Sequence, residues 1–265
     1  LAPLAAKVAR YSGRIIVSEH SPLSLAYARR GRFHRLLMRL SQRFAYPLAD
    51  ERLAVSTGVA RDIAHLSRLP LDAFLVIHNP AARGEVDIET PCPDSVAGLP
   101  GPLILSVGTL KPVKRHDLLL EAFAQVPESS GARLCILGEG NQRERLTRMA
   151  RELGIADRVL MPGFVADLAP WYSHSDLFVL SSDYEGFGNV LVEALEYGVP
   201  VVSTDCPFGP REILDSGRFG NLVPPGDAEA LARAMTHVLE QDLDREALRV
   251  RARDFSLETI AGRYL

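Results

Sequence analysis

The chain has little with which to cross-link itself. Three cysteines, Cys92, Cys135 and Cys206, are spread over 265 residues, odd in number and without metal-type spacing. This argues against a disulfide framework or a cysteine-rich metal site and fits a reducing, cytosolic setting. Cys135 stands inside the apolar run RLCIL and is expected to be a small core residue. No run approaches the roughly 20 apolar residues that a membrane-spanning helix requires. The apolar stretches near the start are broken by Lys7, Arg10 and Arg14, so none is expected to serve as a signal peptide. Acids are missing from one region in particular: residues 1–48 hold nine Lys or Arg against the single acid Glu19, whereas the remainder holds 21 basic and 32 acidic residues. Six of the nine are arginines between Arg29 and Arg43, where there is no acid at all. The same segment, RRGRFHRLLMRLSQR, places Phe33, Leu36, Leu37, Leu40 and Phe44 at helical spacing beside Arg32, Arg35, Arg39 and Arg43. It reads either as a surface helix docked by its apolar side or as a helix that lies on an anionic membrane surface through residues 29–44. Nucleic acid is not expected as a partner, because no nucleic-acid motif accompanies the arginines.

What is present is an ordinary globular composition, 47% hydrophobic and 24% charged, in a chain long enough for two domains. Nine short apolar runs, RIIVS, RLAVS, FLVIH, PLILSVG, ARLCILG, RVLMPG, DLFVLSS, VPVVST and NLVPP, lack alternation and suit strands covered on both faces. Between them HDLLLEAFAQV, QRERLTRMARELG and DAEALARAMTHVLE carry apolar residues at helical spacing. Strand and helix in series predict an α/β fold with parallel sheets of Rossmann type. NPAARGEVDIETPCPDSVAGLPG, with Pro80, Pro91, Pro93 and Pro100 and no sustained period, predicts an interdomain linker over 81–101. That leaves a first domain over 1–80 with three strands, a second over 102–250 with six, and the start of a helix over 251–265 that packs back toward the first domain. A three-stranded half-domain would leave apolar surface uncovered. Since the chain begins at Leu1 and ends inside the helical pattern SLETIAGRYL, residues are expected to precede Leu1 and a few to follow Leu265.

The chemistry-bearing stretches are helix starts that follow a strand and a glycine turn, where unpaired N–H groups and the helix dipole favour an anion. SVGTLKPVKRHD has Gly108 at a strand end followed by Lys111, Lys114 and Arg115; ILGEGNQRERL has Gly138 and Gly140; YEGFGNVLVEAL has Gly186 and Gly188. In a doubly wound sheet all three loops lie at the carboxyl edge, and with their cations they point to a diphosphate or nucleotide. Glu193, one or two turns beyond Gly188, is placed to accept ribose hydroxyls, and Glu185 to face the reactive end of the ligand. The competing reading makes Glu193 and Glu196 helix-surface charges and Glu185 a partner of the helix dipole.

From Pro102 to Leu214 the chain resembles the retaining glycosyltransferases of family four, which have the two-domain GT-B fold. The resemblance is carried by VGTLKPVKRHDLLLEAF, LGEGNQRERL, MPGFVADLAPWYSHSDLFVLSSDYEGFGNVLVEAL and GVPVVST, and VSTGVARDI and VIHNP extend it over nearly the whole chain. It implies transfer of a sugar, with retention, from a UDP- or GDP-linked donor to a glycan or lipid-linked acceptor in polysaccharide or cell-envelope biosynthesis. The first domain would take the acceptor and the second the nucleotide sugar. By the same resemblance Lys114 is the phosphate-binding lysine, Glu193 the ribose-binding acid and Glu185 the acid at the transferred sugar. The backbone from Gly186 through Phe187, Gly188 and Asn189 to Val190 would hold sugar hydroxyls and diphosphate, and His20 would point into the cleft. The base is expected to lie on backbone around Gly163, Phe164 and Val165. One departure stands out: Thr109 occupies the place where the family usually has arginine, which removes a fixed cation from the leaving diphosphate unless Lys111 or Arg115 replaces it. The glycine usual after the lysine is also Arg115 here.

No cofactor and no metal are expected, because a lysine and helix dipoles can stand in for a divalent ion and no Asp-x-Asp pair of the sort that would hold one is seen. The enzyme is expected to be cytoplasmic and peripheral on the inner face of the cytoplasmic membrane. The alternatives are a non-catalytic nucleotide-sugar-binding protein and a sugar epimerase or phosphorylase of the same fold. A glycoside hydrolase, which also uses two carboxylates, has no need of a phosphate loop.

Overall fold

A computed structural model describes residues 2–28 and 30–264; Leu1, Arg29 and Leu265 lie outside the described residues. All nine apolar runs form strands, in two sheets. The first sheet is parallel, in the order β1 (Ile16–Glu19), β2 (Glu51–Ala54), β3 (Leu75–Val76). The second comprises β4 (Leu103–Val107), β5 (Arg133–Leu137), β6 (Val159–Gly163), β7 (Leu177–Leu180), β8 (Val201–Thr204) and β9 (Asn221–Val223). Its strands run β6-β5-β4-β7-β8-β9, every pair parallel. The central strands β7 and β8 are buried at every position, as a sheet covered by helices on both faces requires. Cys135 is fully buried in β5. Pro162 is tolerated because β6 is an edge strand, and the register with β5 slips between Cys135 and Leu137, opposite it.

The helical patterns become Ala228–Leu239, Arg143–Glu152 and His116–Phe123. From Ile77 to Pro102 the chain has no helix or strand, apart from a single bridge between Ala82 and Ser256. Helix Arg245–Arg253 runs straight through position 250, and beyond it Ile260 packs against Leu53 of β2 and Ile77, just past β3.

The arginine-rich segment forms the helix Arg32–Ala45. Only Met38 and Ala45 are buried on it, so the helix docks by a narrow face. The apolar stripe points elsewhere: Phe33 is 67% exposed, Leu36 54%, Phe44 62%, and Leu37 and Leu40 are exposed with them. Docking by the apolar side, one of the two readings of the segment, is therefore not what the fold does. None of the described helices is long and apolar enough to cross a membrane.

Candidate active site

The order of the second sheet reverses between β4 and β7, so the crevice at their carboxyl ends is its switch point, where ligands of such sheets bind. Lys114 comes from the loop after β4 and Glu185 from the loop after β7, and they meet there, Lys114 Nζ donating to Glu185 Oε1 at 2.7 Å. Ser182 Oγ donates to the same oxygen at 2.6 Å. Two further bonds tie the loops together, Asp183 N to the Val113 carbonyl at 2.8 Å and Ser181 Oγ to the Lys114 carbonyl at 2.8 Å. The Lys114 and Glu185 side chains are 21% and 11% exposed, so the pair is largely withdrawn from water.

The cations around Lys114 are not equivalent. Arg115, in left-handed backbone with φ 50°, binds Asp183 at 2.9 Å and Asp117 at 3.1 Å. Burial opposes the Arg115 charge, but the two carboxylates outweigh it and raise its pKa. Lys111, like Thr109, is exposed and forms no ion pair among the described residues. Of the two substitutes for the missing arginine, Lys111 is thus the uncommitted one. His116, next along, is buried; burial, with the Lys114 charge adding to it, lowers its pKa to about 4 and keeps it neutral.

The glycine turns pack backbone to backbone along the same edge. Gly108 N donates to the Leu137 carbonyl at 2.9 Å and Gly138 N to the Gly163 carbonyl at 2.8 Å. A Cβ on Gly138 would overlap the Gly108 carbonyl, and one on Gly140 the Leu110 carbonyl. Beyond β6, Phe164 is 76% exposed and Val165 half-buried.

The loop from Gly186 to Val190 is held by both sheets. Gly186 lies so close to the carbonyl of His20, just past β1, that any Cβ would collide with it. Its own carbonyl accepts from Ser56 Oγ at 2.9 Å. The His20 ring sits 3.1 Å from Ser18 Oγ, so it is the backbone of His20 that touches the loop. Phe187 is buried, and Gly188, at φ 101°, caps helix Asn189–Glu196 with no side chain over its first turn, leaving N–H groups for a ligand. Asn189 Oδ1 accepts from Asn79 Nδ2 at 2.9 Å, and Val190 is half-buried.

The two helical glutamates differ from surface charges. Glu193 Oε2 accepts from Tyr172 Oη at 2.9 Å; burial raises its pKa against the lowering effect of Tyr172 and Arg83. Glu196 is 3% exposed and accepts from the linker amides of Arg83 at 2.5 Å and Gly84 at 2.8 Å, so its task is to fasten the linker. Tyr172, Ser182, Asp183 and His78 lie inside motif stretches that carry the family resemblance but had no role assigned, and Glu212 lies outside those stretches. Ser182 and Asp183 stand three and two residues before Glu185, and that proximity was the available signal. The Asp-x-Asp pair Asp242 and Asp244 lies in the turn before helix Arg245–Arg253, where Asp244 accepts from Ala247 N at 3.1 Å.

Two Rossmann-like parallel sheets, with their loops converging at a switch point, define the GT-B class of fold. Residues 94–255 match the family described as Glycosyl transferases group 1, and the chain belongs to that family. It is 37% identical over 163 residues to the lipopolysaccharide core biosynthesis glycosyltransferase LpsE of Rhizobium meliloti, a match covering 62% of this chain and 46% of that protein. It is 29% identical over 242 residues to an N-acetylgalactosaminyltransferase of Campylobacter jejuni that acts on a diphospho-undecaprenol-linked sugar, covering 91% of this chain and 64% of that one. The chain thus spans about half to two thirds of the length of these curated relatives. Among solved structures, Anabaena HepE in complex with UDP and glucose superposes with a TM-score of 0.81 at 23% identity, over 99% of this chain and 73% of that one. The lipopolysaccharide outer core galactosyltransferase WaaB superposes at 0.74 and 24%, over 98% and 76%. At these identities the likeness to the solved structures is one of fold.

Proposed function

We propose that the chain carries the donor site of a retaining, nucleotide-sugar-dependent glycosyltransferase that builds a cell-envelope polysaccharide or lipopolysaccharide. The observation that carries this reading is the meeting of Lys114 and Glu185 at the switch point, beside the helix start at Gly188. Breaking a glycosyl phosphate bond leaves charge on the diphosphate. Lys114, the N–H groups of helix Asn189–Glu196 and the exposed Lys111 supply the positive field for it. Their charge takes over the task of a divalent ion. Glu185 orients the transferred sugar and supports positive charge on its ring, while the acceptor hydroxyl approaches from the face the diphosphate leaves. Glu193 takes the ribose hydroxyls, and the turn at Gly163–Val165 takes the base, uridine or guanosine. His20 borders the acceptor side. The names of the relatives support the polysaccharide setting, and the UDP complex of HepE supports the donor class.

Product analysis tests the reading. The intact protein, given a panel of UDP- and GDP-sugars with and without glycan or lipid-linked acceptors, is expected to release nucleoside diphosphate only with an acceptor and to form an α-linked product from an α-linked donor. Donor conversion without an acceptor would instead identify an epimerase, and binding without turnover a non-catalytic nucleotide-sugar protein.

Glu193→Gln keeps an oxygen for Tyr172 but loses the charge that strengthens hydrogen bonds to ribose. A charged hydrogen bond contributes about 1.5–3 kcal/mol, so the donor KM should rise roughly tenfold or more with kcat little changed. A kcat loss at unchanged donor KM would remove Glu193 from the ribose.

The exposed stripe of helix Arg32–Ala45, flanked by exposed Arg32, Arg35, Arg39 and Arg43, supports peripheral attachment to the anionic inner face of the cytoplasmic membrane. Co-sedimentation with anionic vesicles should exceed that with neutral ones and fall with salt. In Phe33→Ser/Phe44→Ser it should drop while activity on a water-soluble acceptor is retained. Equal sedimentation with both vesicles would exclude membrane attachment.

A further inference from the structure

The two sheets are clamped by one carboxylate that lies outside the donor loops. Glu212 belongs to the short helix Pro210–Ile213 after β8 and reaches the first turn of helix Thr57–Ser67, which follows β2. Its Oε2 accepts from Thr57 N at 3.0 Å, Thr57 Oγ1 at 3.1 Å and His78 Nε2 at 3.1 Å, and its Oε1 accepts from Gly58 N at 3.3 Å. A carboxylate on the free N–H groups of a helix start is a favourable electrostatic contact, and here it spans the two sheets.

The consequences run into the donor loop by two routes. The His78 ring stacks on Phe187 with centroids 5.2 Å apart and planes 22° from parallel. Ser56, the cap of the same helix, accepts from Val59 N and donates to the Gly186 carbonyl at 2.9 Å. Phe187 thus rests on the His78 ring that Glu212 contacts, and Gly186 on Ser56, the residue next to the Thr57 that Glu212 binds; Glu185 immediately precedes them. From behind, Arg251 donates to the carbonyls of Glu212 at 2.6 Å and Ile213 at 2.9 Å and fixes the short helix. Burial on its own would raise the Glu212 pKa, but the bonds from His78, Thr57 and Gly58 outweigh it and lower the value, so the group is a carboxylate at neutral pH.

We propose that Glu212 is a positioning residue for glycosyl transfer: by clamping helix Thr57–Ser67 and His78 it sets the alignment of the acceptor-side sheet with the loop that presents Glu185. The proposal rests on the function proposed above for the donor site. It implies that losing the clamp harms the alignment of acceptor with donor more than it harms the binding of the nucleotide.

Glu212→Gln is nearly isosteric but turns one acceptor into a donor that faces N–H groups. In the intact protein, with the exposed Glu240→Gln as control, we expect kcat with a nucleotide sugar and acceptor to fall about tenfold or more, as a small misplacement of reacting groups does. Acceptor KM should rise more than the dissociation constant of the nucleoside diphosphate, because Lys114, which comes from the loop after β4, has no contact with the clamp. Hydrogen exchange should quicken both at residues 57–60 and at 186–188. Faster exchange at 57–60 alone, faster exchange throughout the chain, or a turnover loss matched by loss of folded protein would each overturn the proposal, and so would wild-type turnover in a folded variant. If the unmodified protein turns over no nucleotide sugar, the donor-site reading falls on that result. The exchange at 186–188 then still decides whether Glu212 holds the loop.

Discussion

Lys114→Met is expected to lower kcat by about 10²–10³-fold with saturating donor, the usual loss when one fixed partner of a developing oxyanion is removed. The substitution also leaves the Glu185 carboxylate, only 11% exposed, without its cation, and an unpaired buried charge is destabilising by itself. The double variant Lys114→Met/Glu185→Gln separates the two effects. Neutralising the glutamate should restore most of the lost thermal stability and none of the lost turnover. Lys111, exposed and uncommitted, is not expected to compensate, because its charge is screened by water where that of Lys114 is not. If turnover recovered together with stability in the double variant, Lys114 would be a partner of Glu185 and nothing more.

Glu185→Ala should also cost about 10²-fold in kcat, through loss of sugar orientation. Its signature is opposite on the binding side. Removing the carboxylate frees Lys114 from its 2.7 Å ion pair, so a nucleoside diphosphate should bind as tightly as before or more tightly, whereas Lys114→Met should weaken it. Parallel titrations and turnover of the two variants check this. Near-normal turnover in Glu185→Ala would remove it from the reaction, and equal loss of diphosphate affinity in both variants would assign the pair a structural role only.

The fold was legible because each strand is a short apolar run, a property of local sequence that survives any change in the neighbours. Burial on both faces holds for β4, β5, β7 and β8, whereas β1 alternates exposed with half-buried positions and β3 starts on the exposed Leu75. The exception in extent is FLVIH, of which only Leu75–Val76 pairs. Of the candidate site, Glu185 and Glu193 drew attention by their place around a glycine turn, and Lys114 through the family resemblance; the structure brings Lys114 and Glu185 together and sets Glu193 against Tyr172. The contact with Tyr172 was not legible, since a helix in the second domain brings it to Glu193 from 21 residues away, and no periodicity encodes that encounter. Glu212 and Thr57 are 155 residues apart, and their contact exists only once both sheets are assembled. Glu196, on the same helix as Glu193, has the spacing of a surface residue, yet the linker amides lie over it. In helix Arg32–Ala45 the apolar stripe was plain, but a stripe does not say which side packs; Met38 and Ala45, off the main stripe, were the ones buried.

Calorimetric titration of UDP and GDP into the intact protein and into Lys114→Met tests the donor site most directly. One of the two nucleotides should bind the unmodified protein with one site per chain, without added metal, and bind Lys114→Met about tenfold or more weakly, as the loss of one charge-assisted contact to phosphate implies. Absence of binding by either nucleotide, or equal affinity in the two proteins, would contradict a diphosphate site built on Lys114.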